Sequence, residues 1–119
     1  MEKRELGRFG EERAARWLRL RGYRIVETNY SCRSGEIDLI ARRGRYIVFV
    51  EVKLRKNADF APAREFVTAA KQQRIRTTAA LWLSQHETGL QPRFDVIEVY
   101  APQGAEGRVT VRHLENAFE

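Results

Sequence analysis

The stretch that most constrains this chain runs from Gly35 to Lys53. It reads Gly35-Glu36-Ile37-Asp38-Leu39-Ile40-Ala41, then the basic step Arg42-Arg43-Gly44-Arg45, then Tyr46-Ile47-Val48-Phe49-Val50-Glu51-Val52-Lys53. Side chains alternate faces along a strand, and a glycine in a short basic turn supplies a positive φ, so this is a β-hairpin. The second limb is apolar on both faces, with Ile47 and Phe49 on one and Tyr46, Val48, Val50 and Val52 on the other, which predicts a central strand. Only at its end do charges emerge. Glu51 and Lys53 share a face, roughly 7 Å apart along the chain. Across the hairpin, a two-residue turn at Arg43-Gly44 sets Glu36 opposite Glu51, whereas a longer or bulged turn brings Asp38 there, and both registers stay open. Carboxylates and a lysine converging at the edge of an apolar sheet are costly to bury without partners, which points to a metal and a phosphate as occupants.

Around the hairpin the chain alternates helix and strand patterns. Leu6 to Arg21 reads as a helix ended by Gly22, with Gly7, Glu11, Ala14, Ala15 and Leu18 on one stripe; Glu11 falls on the stripe and Glu12 does not. Tyr23 to Tyr30 follows as a strand alternating Tyr23, Ile25 and Glu27 with Arg24, Val26 and Thr28, then a polar turn over Asn29 to Ser34. In the strand Glu36 to Ala41, Glu36, Asp38 and Ile40 share one face and Ile37, Leu39 and Ala41 the other. After a loop over Asn57 to Pro62, a long helix is expected from about Ala63 to His86. Its stripe is Val67, Ala70, Ile75, Ala79, Trp82 and Leu83, and Gly89 and Pro92 stop it. Phe94 to Tyr100 is a further interior strand, and Arg108 to Leu114 a last one after the loop Ala101 to Gly107. Helix, three strands, helix and two strands predict one α/β domain over residues 1–119, an antiparallel meander followed by a crossover helix.

Composition narrows the partners. With 22 Lys and Arg against 16 Asp and Glu, the net charge is +6, which favours a polyanionic partner, either nucleic acid or an anionic membrane surface. The opening residues offer only Leu6 toward the apolar core of a secretory signal, and the longest apolar run is Tyr46 to Val50, so a cytoplasmic protein without a membrane partner is expected. The single cysteine, Cys32, forms no internal disulfide, and with two isolated histidines a zinc site is excluded. No histidine stands near Cys32 in sequence to serve as a base, so it reads as a structural bystander.

Hydrolysis of a phosphodiester requires a bound cation, an activated water and stabilisation of developing charge. Mg²⁺ takes oxygen ligands and keeps several waters, so two or three carboxylates with one backbone carbonyl suffice. Asp38 and Glu51 are the candidate ligands, with Glu36 competing for the place of Asp38 and the carbonyl of Val52 completing the set. Lys53 would orient the attacking water or neutralise the phosphate, and Glu11 would join from the helix, directly or through a water.

The run Gly7-Arg8-Phe9-Gly10-Glu11, the Gly22-Tyr23 step, Gly35-Glu36-Ile37-Asp38-Leu39-Ile40, Phe49-Val50-Glu51-Val52-Lys53, Arg93-Phe94-Asp95-Val96 and the terminal His113-Leu114-Glu115-Asn116-Ala117-Phe118 resemble the YraN family of bacterial proteins. That family is similar to archaeal Holliday junction resolvases, within the restriction-endonuclease-like PD-(D/E)XK group. The resemblance implies an α-β-β-β-α-β core with a mixed central sheet flanked by helices. It also implies metal carboxylates at Asp38 and Glu51, the lysine at Lys53 and the helix glutamate at Glu11, and so prefers Asp38 over Glu36 and Glu11 over Glu12. Lys71 and Arg74 match as well, while Phe60-Ala61-Pro62 departs from the family's Phe-Gly-x-Pro.

The expected activity is a Mg²⁺- or Mn²⁺-dependent endonuclease acting on branched or structured DNA. Arg42, Arg43, Arg45, Arg55, Lys56, Lys71 and Arg74 are the candidate phosphate contacts, and a two-fold homodimer would cut two strands symmetrically. The alternative is a non-catalytic nucleic-acid-binding module of the same fold. DNA against RNA stays open.

Overall fold

The structure is a computed structural model that describes residues 3–56 and 67–119. The expected loop from Asn57 to Pro62, its Phe60-Ala61-Pro62 step and the stretch 63–66 lie outside the described residues. Helix α1 spans Lys3–Leu20, followed by strands β1 (Arg24–Cys32), β2 (Gly35–Arg43) and β3 (Tyr46–Arg55), helix α2 (Ala69–Gln85), β4 (Gln91–Tyr100), a short 3-10 turn (Gly104–Glu106) and β5 (Thr110–Phe118). The strands form one sheet in sequence order. Only β3 and β4 run parallel, because α2 carries the chain across between them; the other pairs are antiparallel. This is the mixed α/β sheet expected.

One helix covers each face. On the α1 side Ala14, Leu18, Leu39, Val48, Val50 and Ile97 form one core cluster; on the α2 side Ile40, Ile47, Phe49, Ile75, Trp82 and Val96 form another. Alternating residues of β3 go to alternate clusters, which is why both of its faces are apolar. Fully burying side chains of this size stabilises by about 1.5–3 kcal/mol each. Trp82 also donates its indole N–H to Glu27 Oε1 at 2.9 Å, and its ring meets Phe49 edge-on at 5.8 Å.

Several boundaries and faces differ from expectation. The buried stripe of α1 includes Leu6, Gly10, Ala14 and Leu18, while Gly7 is exposed. Gly10 faces Leu54 and Val52 on β3, where a Cβ would make ordinary van der Waals contact at 3.5 Å. β1 continues through Asn29 to Cys32, which shortens the following turn to Arg33-Ser34. A bulge at Val26 switches β1 between faces, so Ile25 packs toward α1 while Glu27 reaches Trp82 on the α2 side. Within the described residues α2 starts at Ala69, where the Thr68 side chain caps it by accepting from the Lys71 N–H at 3.2 Å. Val67 is buried ahead of the helix, Ala70 is exposed, and Thr78 takes a buried place in the stripe.

Candidate active site at the fork of the sheet

The hairpin turn is Gly44-Arg45, one residue later than the turn that would favour Glu36, with Gly44 at φ 56°. Pairing runs from Arg43↔Tyr46 to Leu39↔Val50 and stops. Carried one step further, that register sets Asp38 opposite Glu51. Beyond this point β2 stays with β1 as far as Cys32↔Gly35, and β3 stays with β4 as far as Arg55↔Tyr100, so the sheet opens into a fork. Asp38 sits in its crotch. Its Oδ2 accepts from the Val52 N–H at 2.8 Å, taking the place of a backbone acceptor.

The strand is irregular here. Ile37 and Ile40 both pack in the α2-side cluster, which a regular strand forbids for residues three apart, so the alternation breaks at Asp38-Leu39. This corrects the expectation that Ile37 shares a face with Leu39 and Ala41. Asn29, between Thr28↔Leu39 and Tyr30↔Ile37 on the neighbouring strand, has φ 51°, a conformation asparagine tolerates better than most residues. It lines one cavity with Glu11, which brings α1 to the same corner. Asn29 was hidden from sequence because it read as part of a turn.

The electrostatics are those of crowded negative charge. Burial, then the neighbouring Glu51, push the Asp38 carboxyl from the ordinary 3.8 up to about 7, against the lowering effect of the Val52 N–H; Glu11 and Glu36 add to the rise. Glu11 is also raised, chiefly by burial and further by Glu36 and Glu51, with the Asn29 side chain and Arg8 opposing. Glu11, Glu36, Asp38 and Glu51 therefore share one field. Glu12 is exposed, and so is Glu36, which contributes charge from the rim.

Facing the carboxylates is a cationic wall. Lys71 Nζ lies 2.5 Å from Glu51 Oε1, and Lys71 and Arg74 line a cavity of about 410 Å³ together with Glu36, Asp38 and Glu51. Both project from the first turns of α2, whose N-terminus carries the positive end of the helix dipole. Lys53 follows Glu51 on the same face of β3 and is exposed. Among the described residues no three His, Cys, Asp or Glu side chains stand close enough to hold a metal by themselves. The donors at hand are two carboxylates and the backbone at Val52.

The remaining expected phosphate contacts divide. Arg42, Arg43 and Arg45 are exposed at the opposite end of the hairpin, and Lys56 is exposed just after β3. Arg55 is placed otherwise than expected: it is buried, with its Nε 3.2 Å from Glu98 Oε2, because its side chain turns into the sheet instead of leaving the strand end. Cys32 lies beside Ser34 and Thr78, its Sγ 3.0 Å from Ser34 Oγ, and that hydrogen bond foremost lowers its thiol.

Sequence reading also missed a buried network on the α1 side of the sheet, where Asp95 pairs in register with Val50. Asp95, wholly buried, accepts from Arg93 at 2.9 and 2.8 Å, from the Asn116 N–H at 2.9 Å, and pairs with His113 Nε2 at 2.7 Å. Burial pushes its carboxyl up, but these partners outweigh burial and hold it below the ordinary value. Trp17 donates to His113 Nδ1 at 3.4 Å, leaving Nε2 to carry the proton toward Asp95.

No described helix is long and apolar enough to cross a membrane. Residues 10–99 match the model of the uncharacterised protein family UPF0102. A UPF0102 protein of Symbiobacterium thermophilum is 47% identical over 116 residues, covering 97% of each chain. One from Renibacterium salmoninarum is 46% identical over 108 residues, 90% of this chain and 92% of its own. A third, from Pelobacter propionicus, is 43% identical over 121 residues, 99% of this chain and 85% of its own. The family match spans the helix carrying Glu11, the forked hairpin and the cationic helix, and the chain belongs to UPF0102, the YraN family.

Proposed function

We propose that this protein is a metal-dependent endonuclease that hydrolyses phosphodiesters in branched or structured DNA at the fork between β2 and β3. The observation that carries the reading is the half-buried Asp38 carboxyl, pushed up to about 7, beside Glu51 and facing Lys71 and Arg74 across one cavity. Like charges crowded in a half-buried corner gain most from a small divalent cation. Two carboxylates with one backbone carbonyl suit Mg²⁺ or Mn²⁺, which keep several waters. Asp38, Glu51 and the carbonyl of Val52 would hold it, with Glu11 reaching in directly or through a water. When bound, the ion supplies Lewis acidity and lowers the pKa of a coordinated water.

The chain's own residues divide the remaining work. The Val52 N–H fixes the orientation of Asp38. Lys53, on the face of Glu51, orients the attacking water or neutralises the phosphate, while Lys71, Arg74 and the α2 N-terminus attract the substrate's anionic oxygens. A two-fold homodimer would bring two such sites to one junction.

One observation favours the alternative of a non-catalytic nucleic-acid-binding module. Lys71 already neutralises Glu51 at 2.5 Å. Incubation of four-way-junction, flap, duplex and single-stranded DNA with the protein in Mg²⁺ and Mn²⁺, beside Glu51→Gln and Lys53→Ala, separates the two. Cleavage lost in both variants supports the nuclease. Intact substrates throughout, with salt-dependent binding and no saturable metal site, leave the binding module.

A further inference from the structure

The basic residues fall into two groups, with the sheet between Lys71 and Arg74 on one side and Arg43 and Arg45 on the other. Lys71 and Arg74 line the carboxylate cavity on the α2 side of the sheet. The other group gathers around the Gly44-Arg45 turn, and much of it lies on the α1 side. The Arg43 guanidinium covers the Tyr23 ring at 5.2 Å, and Arg45 and Arg93 cover the Tyr46 ring at 5.2 and 5.0 Å. Tyr23 and Tyr46 belong to or pack against the α1-side core. Along β2, Arg43 is five residues from Asp38, roughly 17 Å at strand rise, and the sheet itself lies between the two faces.

Two features make the turn end more than a solvated one. Arg24 and Arg42 stand directly opposite each other in the β1–β2 ladder, a like-charge pairing that destabilises a sheet. Among the described residues no ion pair relieves it: the salt bridges involve Arg55, Lys71, Arg93 and His113, and none reaches Arg24, Arg42, Arg43 or Arg45. Stacking on tyrosine faces also holds the guanidinium planes in place, which suits bidentate contact with phosphate oxygens. Arg93 is anchored in turn by buried Asp95. The cavity beside this turn, about 810 Å³, is lined by Arg45 and Arg93 together with Glu115 and Glu119, so its charge is mixed, and Arg24, Arg42 and Arg43 lie outside that lining.

We infer that the turn end, centred on Arg43 and Arg45 with Arg24 and Arg42 beside them, is a second nucleic-acid surface that grips the phosphate backbone of an arm not passing through the carboxylate fork. The grip itself requires only nucleic acid, while its pairing with a scissile arm rests on the nuclease reading. A branch, which diverges at its centre, can occupy both surfaces.

The test is fluorescence anisotropy of labelled four-way-junction and 20-base-pair duplex DNA in EDTA, from 50 to 300 mM KCl. It compares the parent with Arg43→Ala/Arg45→Ala, Arg43→Lys/Arg45→Lys and Lys71→Ala/Arg74→Ala, each checked for folding by circular dichroism. Each phosphate contact contributes about 0.9 to the slope of log K against log salt, so the first variant should flatten it by about 2 and weaken junction binding at least tenfold at 100 mM. The lysine variant, which keeps charge, should recover most of the slope. An unchanged slope in Arg43→Ala/Arg45→Ala, beside lost binding in Lys71→Ala/Arg74→Ala, overturns the inference and spares the nuclease reading. Flattening without any DNA cleavage or metal binding by the parent does the reverse. No DNA binding by the parent removes both, and binding to phosphatidylserine vesicles that alone depends on Arg43 and Arg45 reassigns the surface to lipid and overturns the inference.

Discussion

Asp38→Asn should make this protein more stable at neutral and alkaline pH, and the gain should vanish in acid. A carboxyl whose folded value lies above its unfolded one binds its proton more tightly in the folded state. Its contribution to stability is complete below the unfolded value near 4 and is lost as pH rises through about 7. A displacement from 3.8 to about 7 corresponds to about 4 kcal/mol, at about 1.4 kcal/mol for each tenfold change in proton affinity. Asparagine is the suitable replacement because its carbonyl oxygen still accepts from the Val52 N–H while its charge is absent at every pH. The advantage of Asp38→Asn over the parent should therefore grow by up to about 4 kcal/mol between pH 4 and pH 8. For 119 residues the unfolding entropy is roughly 0.25 kcal/mol/K, which makes this a relative rise in Tm of about 15 °C. Urea unfolding at half-unit pH intervals, in EDTA, measures it directly. Parallel pH profiles for the two proteins would refute the picture of Asp38 as a strained, half-buried charge, and with it the main support for a cation site.

Three further outcomes follow from other corners of the molecule. With saturating Mn²⁺ at pH 8 the parent should gain about 2.7 kcal/mol at a hundredfold excess over Kd, read as a Tm increase, and Glu51→Gln should gain nothing; equal shifts would place any metal elsewhere. Asp95→Asn removes the buried carboxylate that Arg93, His113 and the Asn116 N–H all address, and should cost about 3–5 kcal/mol in urea unfolding, whereas a loss below about 1 kcal/mol would mean the network is solvated. Thr68→Ala removes the acceptor for the Lys71 N–H at the start of α2 and should cost about 1 kcal/mol, with no change in the denaturant slope m.

The sequence by itself determined the order of elements and the centrality of β3; it put Glu51 and Lys53 at the end of that strand, whereas β3 continues to Arg55 and the carboxylates stand where β2 parts from it. These follow from local periodicity: a strand apolar on both faces, as from Tyr46 to Val50, has to lie between two helices, and charges such as Glu51 and Lys53 emerge where that pattern breaks. Specific short motifs marked the family. Tertiary structure decided what local pattern leaves degenerate. Whether Glu36 or Asp38 opposes Glu51 turns on one residue of hairpin register, fixed when Gly44-Arg45 takes the turn. The kink at Asn29 and Asp38, the parting of β2 from β3 and the burial of Arg55 against Glu98 depend on neighbours distant in sequence. So does the meeting of Lys71 with Glu51, twenty residues apart, at 2.5 Å. A charge's sequence position tells which strand carries it; its protonation and partners depend on burial and on the other charges the fold brings near, and those exist only once the sheet has closed on both helices.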